Sequence, residues 1–276
     1  MTSLPLANTP IGVARRLAGR WDLTQDLIYR ELVGRYRGSI LGIFWSLIQP
    51  LFLLAIYTVV FGKIMPIRIK PEGVDGSIAD FAIFLFCGMI TWNLVSESIG
   101  SACNLVVNRP TFVKKVVFPL EILAVVQVGV ALVHFFFAFV ILFAAIAIFQ
   151  ELHLTTLWLP VIIAPLAILC LGLTWMLAAL GVFLRDLGES IGIVLMAGMF
   201  VAPVFYPLDG NLPALFKALV LCNPATWFIV QMRHILTDGM SPPLLSLAFL
   251  WAVSLLIAWG GFLFFERARP GFGDVT

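Results

Sequence analysis

The residues that could bind a nucleotide or a metal ion are few and poorly placed for either task. The only Gly-Lys pair lies in Gly62-Lys63-Ile64, where Ile replaces the Ser or Thr of a phosphate-binding loop. The three histidines are His134, His153 and His234. They form neither a His-Glu-x-x-His motif nor an i, i+4 pair of the kind that holds zinc. We therefore predict no catalytic residue and no metal site in this chain, and any ATP must be bound by another subunit.

Glu97 is the acidic residue with the most unusual surroundings, because it lies inside an apolar run. It stands about nine residues from the end of that run, or on the order of 14 Å at 1.5 Å per residue. An ionised carboxylate at that depth is costly unless it faces a wet cavity or hydrogen-bonding neighbours. Three readings stay open: Glu97 lines an entrance, it accepts hydrogen bonds from Ser96, Ser98 or an arginine, or it is the proton site of a carrier. His134, in the next apolar run, is predicted to be hydrogen-bonded between helices.

The composition is that of a membrane protein. Of 276 residues, 61% are hydrophobic and only 12% are charged, and the mean hydropathy is +1.05. Average soluble chains are about 45–50% apolar and about 25% charged. Disordered, fibrous and nucleic-acid-binding classes are therefore excluded. The four cysteines follow no Cys-x-x-Cys spacing, which argues against a disulfide scaffold or a zinc ribbon.

Six stretches have the length of about 20 apolar residues that a helix needs to cross a bilayer. We predict an all-α membrane protein with spans at 41–61, 81–106, 118–149, 158–184, 190–206 and 244–265. Positively charged loops stay in the cytoplasm, and an inside N-terminus puts twelve Lys and Arg residues in cytoplasmic segments and five outside. Both termini are therefore predicted to be cytoplasmic.

Two segments outside the spans have their own patterns. Residues 1–40 lack the apolar region of a secretory signal, and Leu23, Leu27, Ile28, Leu32 and Tyr36 recur at helical spacing. This pattern predicts an amphipathic helix, which either lies in the membrane interface or caps the cytoplasmic ends of the spans. The stretch 207–243 is apolar but broken by prolines and polar residues, so it predicts short re-entrant helices on the outer side; a seventh span is the alternative. We predict one domain, 1–276, with an interface helix at 1–40, six spans within 41–265 and a tail at 266–276.

A series of short motifs, in order along the chain, resembles one family of transport proteins. The motifs are Arg35-Tyr36-Arg37-Gly38-Ser39 followed by Leu41-Gly42, Trp45 and Pro50; Asn108 through Lys114-Lys115 to Phe118-Pro119; Arg185-Asp186-Leu187; Pro203 with Tyr206; Asn223-Pro224; and Phe265-Glu266-Arg267. They resemble the permease subunits of ABC exporters for lipid-linked polysaccharide, such as the O-antigen permease Wzm, the capsule permease KpsM and the teichoic acid permease TagG. The likeness extends from about residue 30 to the end of the chain.

The resemblance implies partners and a location that composition does not. Family members are similar in forming homodimers that associate with two separate ABC ATPase subunits in the bacterial cytoplasmic membrane. The cargo is a glycan on undecaprenyl pyrophosphate, with O-antigen the first expectation and capsule or teichoic acid the others. ATP and magnesium would then be bound by the partner, and no cofactor or nucleic acid by this chain.

The basic connection between the second and third spans is the expected contact with the ATPase. Its ends at Pro110 and Pro119 interrupt any continuous helix. On charge alone, its lysines could simply hold lipid phosphates. The resemblance implies instead a coupling helix docked on the ATPase, with Phe112 as apolar anchor. The predicted coupling residues are Arg109, Thr111, Phe112, Lys114 and Lys115.

The end of the amphipathic helix is the expected cytoplasmic gate. Arg35, Tyr36 and Arg37 should lie at headgroup depth, where arginine can make bidentate contacts with a pyrophosphate. An ordinary interface anchor is the equally open alternative. The predicted gate and pyrophosphate residues are Arg35, Tyr36, Arg37, Glu97, Arg185 and Asp186.

Aromatic rings and prolines complete the predicted site. Sugar faces can stack on rings without tight recognition, and the predicted channel-lining aromatics are Phe52, Phe84, Phe86 and Trp92, although such rings commonly face lipid or another helix. The predicted outer gate comprises Pro203, Tyr206, Asn223 and Pro224, with a static cap as the alternative.

The function predicted from these features is the transmembrane subunit of an ATP-driven polysaccharide exporter, without enzymatic activity of its own. Two rivals remain at this stage: an ABC permease for a drug or small lipid, and a proton-coupled transporter that uses Glu97.

Overall fold

A computed structural model describes residues 10–60, 77–109, 118–184, 186–208 and 212–275, and within these ranges the protein is helical and has no β-strand. The prediction of an all-α protein is confirmed. The helices, in chain order, are α1 (Pro10–Ala18), α2 (Trp21–Tyr36), α3 (Trp45–Val59), α4 (Ile78–Gly100), α5 (Glu121–Phe149), α6 (Leu159–Phe183), α7 (Leu187–Val201), α8 (Ala214–Cys222), α9 (Pro224–Leu236), α10 (Leu244–Ala268) and α11 (Phe272–Val275).

Four helical stretches are long and apolar enough to cross a membrane. They are Ile78–Asn104, Glu121–Phe149, Leu154–Phe183 and Leu244–Gly271, and they correspond to the second, third, fourth and sixth predicted spans. Each contains an α-helix of 23 to 29 residues, and three of the stretches add a short 3-10 turn. At 1.5 Å per residue, each α-helix is longer than the roughly 30 Å thickness of the hydrocarbon. The chain is a multi-pass membrane protein.

The first and fifth predicted spans correspond to shorter apolar helices. α3 and α7 have 15 residues each, or roughly 22 Å of helix. α7 begins at Leu187 rather than 190 and ends at Val201 rather than 206. It ends there because Ala202 precedes Pro203 and takes extended backbone angles, as residues before proline do.

Helices α8 and α9 form a sharply bent pair within the stretch for which short re-entrant helices were predicted. Their axes meet at 85°. The bend follows from Asn223 and Pro224: the Asn223 side-chain oxygen accepts a hydrogen bond from the backbone N–H of Ala225, and Pro224 occupies the first turn of α9. Asparagine at the N-cap and proline just inside a helix are the residues that start a new helix most readily.

The core lies around α4, which packs against α3, α5, α6 and α9. Its residues Leu85, Phe86 and Leu94 are almost fully buried. The most extensive contact between two helices joins α6 and α10, where glycines allow the backbones to touch: a Cβ added at Gly172 would lie 2.5 Å from the Cα of Ala258. Small residues at such crossings are typical of helices packed in a membrane.

Helices α1 and α2, here called the arm, pack on one end of this bundle. Val13 of α1 is buried in a cluster that contains Trp175 of α6 and Phe262 of α10. Ile28 of α2 fits against Gly129 of α5, where an added Cβ would meet the Ile28 side chain. The arm is therefore packed against the bundle, and its position in the membrane interface stays a prediction.

Candidate functional site

The C-terminal end of α2 brings two of the predicted gate residues to the bundle. Arg35 and Tyr36 are the last residues of the helix. Gly38 and Gly42 follow with φ angles of 83° and 53°, in the left-handed region that glycine adopts at little cost. These two glycines let the chain turn from α2 into α3, so that both helices border the same cavity.

Glu97 of α4 is bound by groups from two other helices. Its Oε1 accepts a hydrogen bond from Nη1 of Arg35 at 2.5 Å, and Nδ1 of His134 lies 2.7 Å from the same oxygen. The Arg35 and Glu97 side chains are 32% and 24% exposed. The ion pair is therefore half-buried but reachable by water, and charge-assisted bonds of this kind are the stronger ones in proteins.

His134 of α5 closes the cluster by reaching Tyr36. Its Nε2 lies 2.9 Å from the Tyr36 hydroxyl oxygen. A carboxylate can only accept, so Nδ1 of His134 carries the proton that it donates to Glu97. Burial raises the pKa of the Tyr36 hydroxyl above its ordinary value near 10, and the charge of Glu97 acts in the same direction. Tyr36 therefore keeps its proton at neutral pH. The four residues Arg35, Tyr36, Glu97 and His134 are called the entrance cluster below.

A buried amide fixes the backbone beneath Glu97. Gln127 of α5 is 4% exposed, and its Nε2 donates to the main-chain carbonyl of Glu97 at 2.8 Å. The carbonyl thus has a partner from a neighbouring helix, which ties α4 to α5 beside the cluster. Because His134 and Gln127 are both on α5, the Glu97 side chain and backbone are both held by that one helix.

A cavity of about 400 Å³ opens beside the entrance cluster. All four cluster residues line it, together with the polar side chains of Ser46, Gln49, Asn93 and Ser96. Apolar residues of α3, α4 and α5 form the rest of the wall. Cavities of this size and mixed lining can hold a small polar group.

The predicted gate residues do not all meet here. Arg37 is exposed just beyond α2, and the exposed Asp186 precedes α7, where its carbonyl oxygen accepts from Ser190. Neither Arg37 nor Asp186 is among the described residues that line the cavity. Arg185 lies outside the described residues. His134 is the cluster member that the sequence did not assign to the gate; its place on an apolar helix gave only a hydrogen-bonding expectation.

The predicted coupling segment is described at its two flanks, and both flanks are paired with the arm. Nη2 of Arg109 lies 2.6 Å from Oε2 of Glu31 on α2. Thr111, Phe112, Lys114 and Lys115 lie outside the described residues. On the far flank, the carboxylate of Glu121 lies 3.2 Å from Arg20 and 3.4 Å from Arg269.

Glu121 is a buried acid that the sequence analysis did not single out. Its side chain is 5% exposed and stands at the start of α5. Trp175 of α6 donates its indole N–H to the Glu121 carbonyl at 3.0 Å. Two arginines around one buried carboxylate supply the compensation that such a charge needs. A signal was present in the sequence, because Glu121 is the only charged residue within the predicted span 118–149.

The predicted outer-gate residues lie around the bent pair at the other end of α4. Tyr206 donates to the carbonyl oxygens of Val201 and Phe200 at 2.8 and 3.1 Å, which folds the chain back on the end of α7. The Pro203 carbonyl accepts a hydrogen bond from Arg233 at 2.7 Å. Asn223 and Pro224 form the bend itself.

Arg233 on α9 is a further residue of this region, and its sequence surroundings did not single it out. It is 6% exposed, and its guanidinium also donates to the carbonyl oxygens of Phe84 and Val204 while lying 3.4 Å from the centre of the Phe84 ring. An arginine that binds three carbonyls ties α4, the turn after α7 and α9 together. Its long-range partners have no counterpart in a local sequence pattern.

The four predicted channel aromatics have different surroundings. Phe86 is 1% exposed, and Trp92, 6% exposed, fits against Gly198 of α7. Phe84 lies under Arg233, whereas Phe52 of α3 is 65% exposed. Only Phe52 of the four therefore offers an open ring face in the single chain, and its role as a channel residue stays a prediction.

Together, the long apolar helices and the bent pair are the features of a polytopic membrane protein, with a polar cavity at one end of the bundle. The model of the ABC-2 type transporter family matches residues 23–237, which is most of the chain. The protein belongs to this family of ABC transporter permeases, as the resemblance seen in its sequence predicted.

The similarity to known proteins extends over nearly the whole chain. The O-antigen export system permease protein RfbA of Myxococcus xanthus is 29% identical over 269 residues, covering 96% of this chain and 99% of that protein. The O-antigen export system permease protein RfbA of Klebsiella pneumoniae is 23% identical over 258 residues, covering 92% and 95% of the two chains. The likeness thus covers nearly the full length of this chain and of each relative.

Proposed function

We propose that this chain is the transmembrane subunit of an ATP-driven ABC exporter of lipid-linked polysaccharide, with O-antigen as the cargo. The observation that carries the proposal is the end-to-end similarity to two permeases named for O-antigen export. The polar cavity at one end of an apolar bundle supports it, because a lipid carrier with a charged headgroup needs such a site. Capsule and teichoic acid glycans share that chemistry and are the neighbouring cargo classes.

Six spans with both termini in the cytoplasm are the topology that goes with this function. The four long helices supply four spans, and the apolar α3 and α7 supply the first and fifth. The distribution of Lys and Arg supports an inside N-terminus, and membership of the transporter family supports a location in the cytoplasmic membrane. In this topology the entrance cluster faces the cytoplasm and the bent pair faces outward.

A second copy of the chain completes the channel. α7 is apolar but has no buried residue within the described protomer. A partner helix or lipid must cover its apolar face, and a homodimer built on this face encloses a path between the two copies. Phe52 is the aromatic residue best exposed to such a path.

Two ABC ATPase subunits supply the driving force through the coupling segment. Arg109, Thr111, Phe112, Lys114 and Lys115 would form the contact, with ATP and magnesium held by the partner. The pairing of Glu31 with Arg109, and of Arg20 with Glu121, supports this role, because both flanks of the segment are then fastened to the arm. Movement of the segment would therefore move α2 and its terminal Arg35.

The entrance cluster receives the pyrophosphate of the lipid carrier. Arg35 and Tyr36 supply a charged donor and a neutral hydroxyl donor at the mouth of the 400 Å³ cavity. Arg37, Arg185 and Asp186 would act around this mouth, with the arginines attracting the headgroup from solution. Glycan then follows through the dimer and leaves past Pro203, Tyr206, Asn223 and Pro224, where Arg233 fastens the outer elements.

The experiment that tests the function uses the chain together with a candidate ABC ATPase subunit from the same organism. The pair should co-purify and hydrolyse ATP, and loss of this chain should leave undecaprenyl-linked glycan at the cytoplasmic face. A partner ATPase with its P-loop lysine replaced is the matched control and should trap the same glycan. If neither co-purification nor trapped glycan is found, the proposal is wrong.

A proton-coupled carrier is the second candidate, because Glu97 and His134 form an acid–imidazole pair beside a cavity. Proteoliposomes that contain the chain and its ATPase decide between the two. Transport that needs ATP and survives collapse of the proton gradient supports the exporter, whereas flux driven by the gradient without ATP supports the carrier.

The coupling contact has its own test. Phe112→Asp should leave membrane insertion intact but abolish association with the ATPase, whereas the apolar Phe112→Leu should keep it. Equal association of the two variants would exclude Phe112 as the anchor.

A further inference from the structure

Arg35 is occupied in the structure by a carboxylate of the same chain. Its Nη1 donates to Glu97 Oε1 at 2.5 Å, and the two residues are 62 positions apart in sequence. A carboxylate oxygen bound in this way takes the place that a phosphate oxygen would take, because guanidinium groups bind both anions with the same geometry. While Arg35 and Glu97 are paired, the guanidinium that lines the cavity already binds an anion, the Glu97 carboxylate.

An incoming diphosphate and Glu97 therefore compete for one cation. If both anions remained near each other in a half-buried cavity without compensation, their repulsion would oppose binding. The resting ion pair thus sets a threshold: only a ligand with enough charge to outcompete one carboxylate opens it. A diphosphate on a lipid carries that charge, whereas a zwitterionic lipid headgroup does not.

His134 is placed to take over the displaced carboxylate. It lies 2.7 Å from the same Oε1 as Arg35, but it belongs to α5 rather than to the arm. Gln127, also of α5, holds the Glu97 carbonyl. Glu97 is thus fastened to α5 on its side chain and its backbone, so that α2 can withdraw Arg35 while Glu97 stays with His134.

Tyr36 connects Arg35 on α2 with His134 on α5. Its hydroxyl lies 2.9 Å from Nε2 of His134, and it is adjacent to Arg35 on α2. When Arg35 moves toward a ligand, Tyr36 moves with it and releases Nε2. Nδ1 of His134 still donates to Oε1 of Glu97, so the carboxylate stays bound to α5.

From these contacts we infer that Glu97 is an internal counter-anion, which occupies Arg35 until a lipid-linked diphosphate displaces it, and that His134 is the positioning residue that retains the displaced carboxylate. The inference rests on the proposed function, since it concerns how the entrance selects its lipid. The selection of strongly charged lipids then depends on a contact within the protein, because the resting Arg35–Glu97 pair excludes lipids with a weakly charged headgroup.

The test measures diphosphate binding by the full-length chain in phosphatidylcholine nanodiscs, without the ATPase, whose own nucleotide site would bind the same anion. The probes are farnesyl diphosphate and inorganic pyrophosphate, so that a lipid-linked and a free diphosphate are compared. Glu97→Gln keeps the size of the side chain but removes the competing charge, and it should bind farnesyl diphosphate about tenfold more tightly than the wild type. The exposed Glu189→Gln removes the same charge elsewhere and should not tighten binding.

The roles of Arg35 and His134 are separated by double variants. Adding Arg35→Gln to Glu97→Gln should abolish the gain, because the freed cation is gone. His134→Ala should weaken binding, and Glu97→Gln in the same chain should restore it to the level of Glu97→Gln alone. A merely structural role for His134 predicts no such rescue.

Each other result overturns the inference. If Glu97→Gln binds no more tightly than the wild type, Glu97 is not a competitor; if inorganic pyrophosphate binds as well as farnesyl diphosphate, the site does not select a lipid. If no variant binds either probe, the pyrophosphate role of the cluster falls as well. Export of polysaccharide is measured separately, as glycan that stays at the cytoplasmic face when this chain is lost. The proposed function is therefore tested independently of these binding results.

Discussion

The contact between α6 and α10 gives the sharpest prediction about stability. A Cβ at Gly172 would lie 2.5 Å from the Cα of Ala258 and 2.6 Å from both the nitrogen of Ala258 and the oxygen of Ile257. These atoms belong to the α10 backbone, so they cannot rotate out of the way. Gly172→Ala therefore requires the two helices to separate. Gly260 offers a matched control on α10, because a Cβ there meets nothing within 4 Å.

The size of the effect follows from the separation needed. To restore ordinary contact, the helices must move apart by roughly 1 Å, and overpacking of this kind costs about 1–3 kcal/mol. A gap of that size also removes about a quarter to a half of the attraction between each facing atom pair. Against this, alanine in place of glycine favours a helix by up to about 1 kcal/mol. We expect a net loss of about 1–2 kcal/mol for Gly172→Ala and a small gain for Gly260→Ala.

The assay is the heating of detergent-solubilised fluorescent fusions, followed by size-exclusion chromatography of what remains folded. Gly172→Ala should lose its monodisperse peak at a lower temperature than the wild type, and Gly260→Ala should not. Equal resistance of the two variants would show that the helices can separate freely, and that the glycine contact does not hold α6 to α10.

Three further predictions concern the buried charges and the arm. Arg233→Lys should lower the free energy of unfolding by about 2–3 kcal/mol, and by more than Arg233→Met does. The reason is that lysine keeps the buried charge but cannot reach three carbonyls at once. Equal losses in the two variants would contradict this. Glu121→Gln should lower the free energy of unfolding by about 1–2 kcal/mol, because it weakens two arginine contacts. Glu266→Gln should change it by less than about 1 kcal/mol, because its partner Arg269 is only three residues away and 35% exposed. For Tyr36, whose pKa is raised by burial, the contribution to stability is complete below pH 10 and is lost as the pH rises through the folded-state value. Chemical unfolding at pH 9 and 11 should therefore show a larger loss for the wild type than for Tyr36→Phe, and identical losses would refute the assignment.

The ion pairs of the arm share one property that bears on coupling. Arg20, Glu31 and Arg35 are spaced along α2 and its start, and each pairs with a different part of the bundle. A rigid helix that is fastened at three points moves as a unit when one of them is displaced. The arm is therefore suited to carry a displacement of Arg109 or Glu121 to the entrance cluster.

Several features of this protein follow from local sequence alone. The apolar runs predicted the four long helices, because a helix in lipid must satisfy its backbone internally and so needs an uninterrupted apolar stretch. Broken hydropathy and Asn223-Pro224 predicted short helices with a bend. The order of the motifs gave the family, which the match over residues 23–237 confirms. Of the predicted gate residues, Arg35, Tyr36 and Glu97 line one cavity in the structure, and their role in binding a pyrophosphate stays a prediction.

The partners of the charged groups were decided only by tertiary structure. Glu97 pairs with Arg35 and His134, Glu121 with Arg20 and Arg269, and Arg233 with carbonyls of three residues far away in the chain. Which side of an apolar helix faces a neighbour depends on its rotation and crossing angle, and a helix that is apolar all round carries no periodic signal of either. Hydropathy therefore determines where this chain enters the membrane, whereas the packing of the helices determines which of its few charges meet.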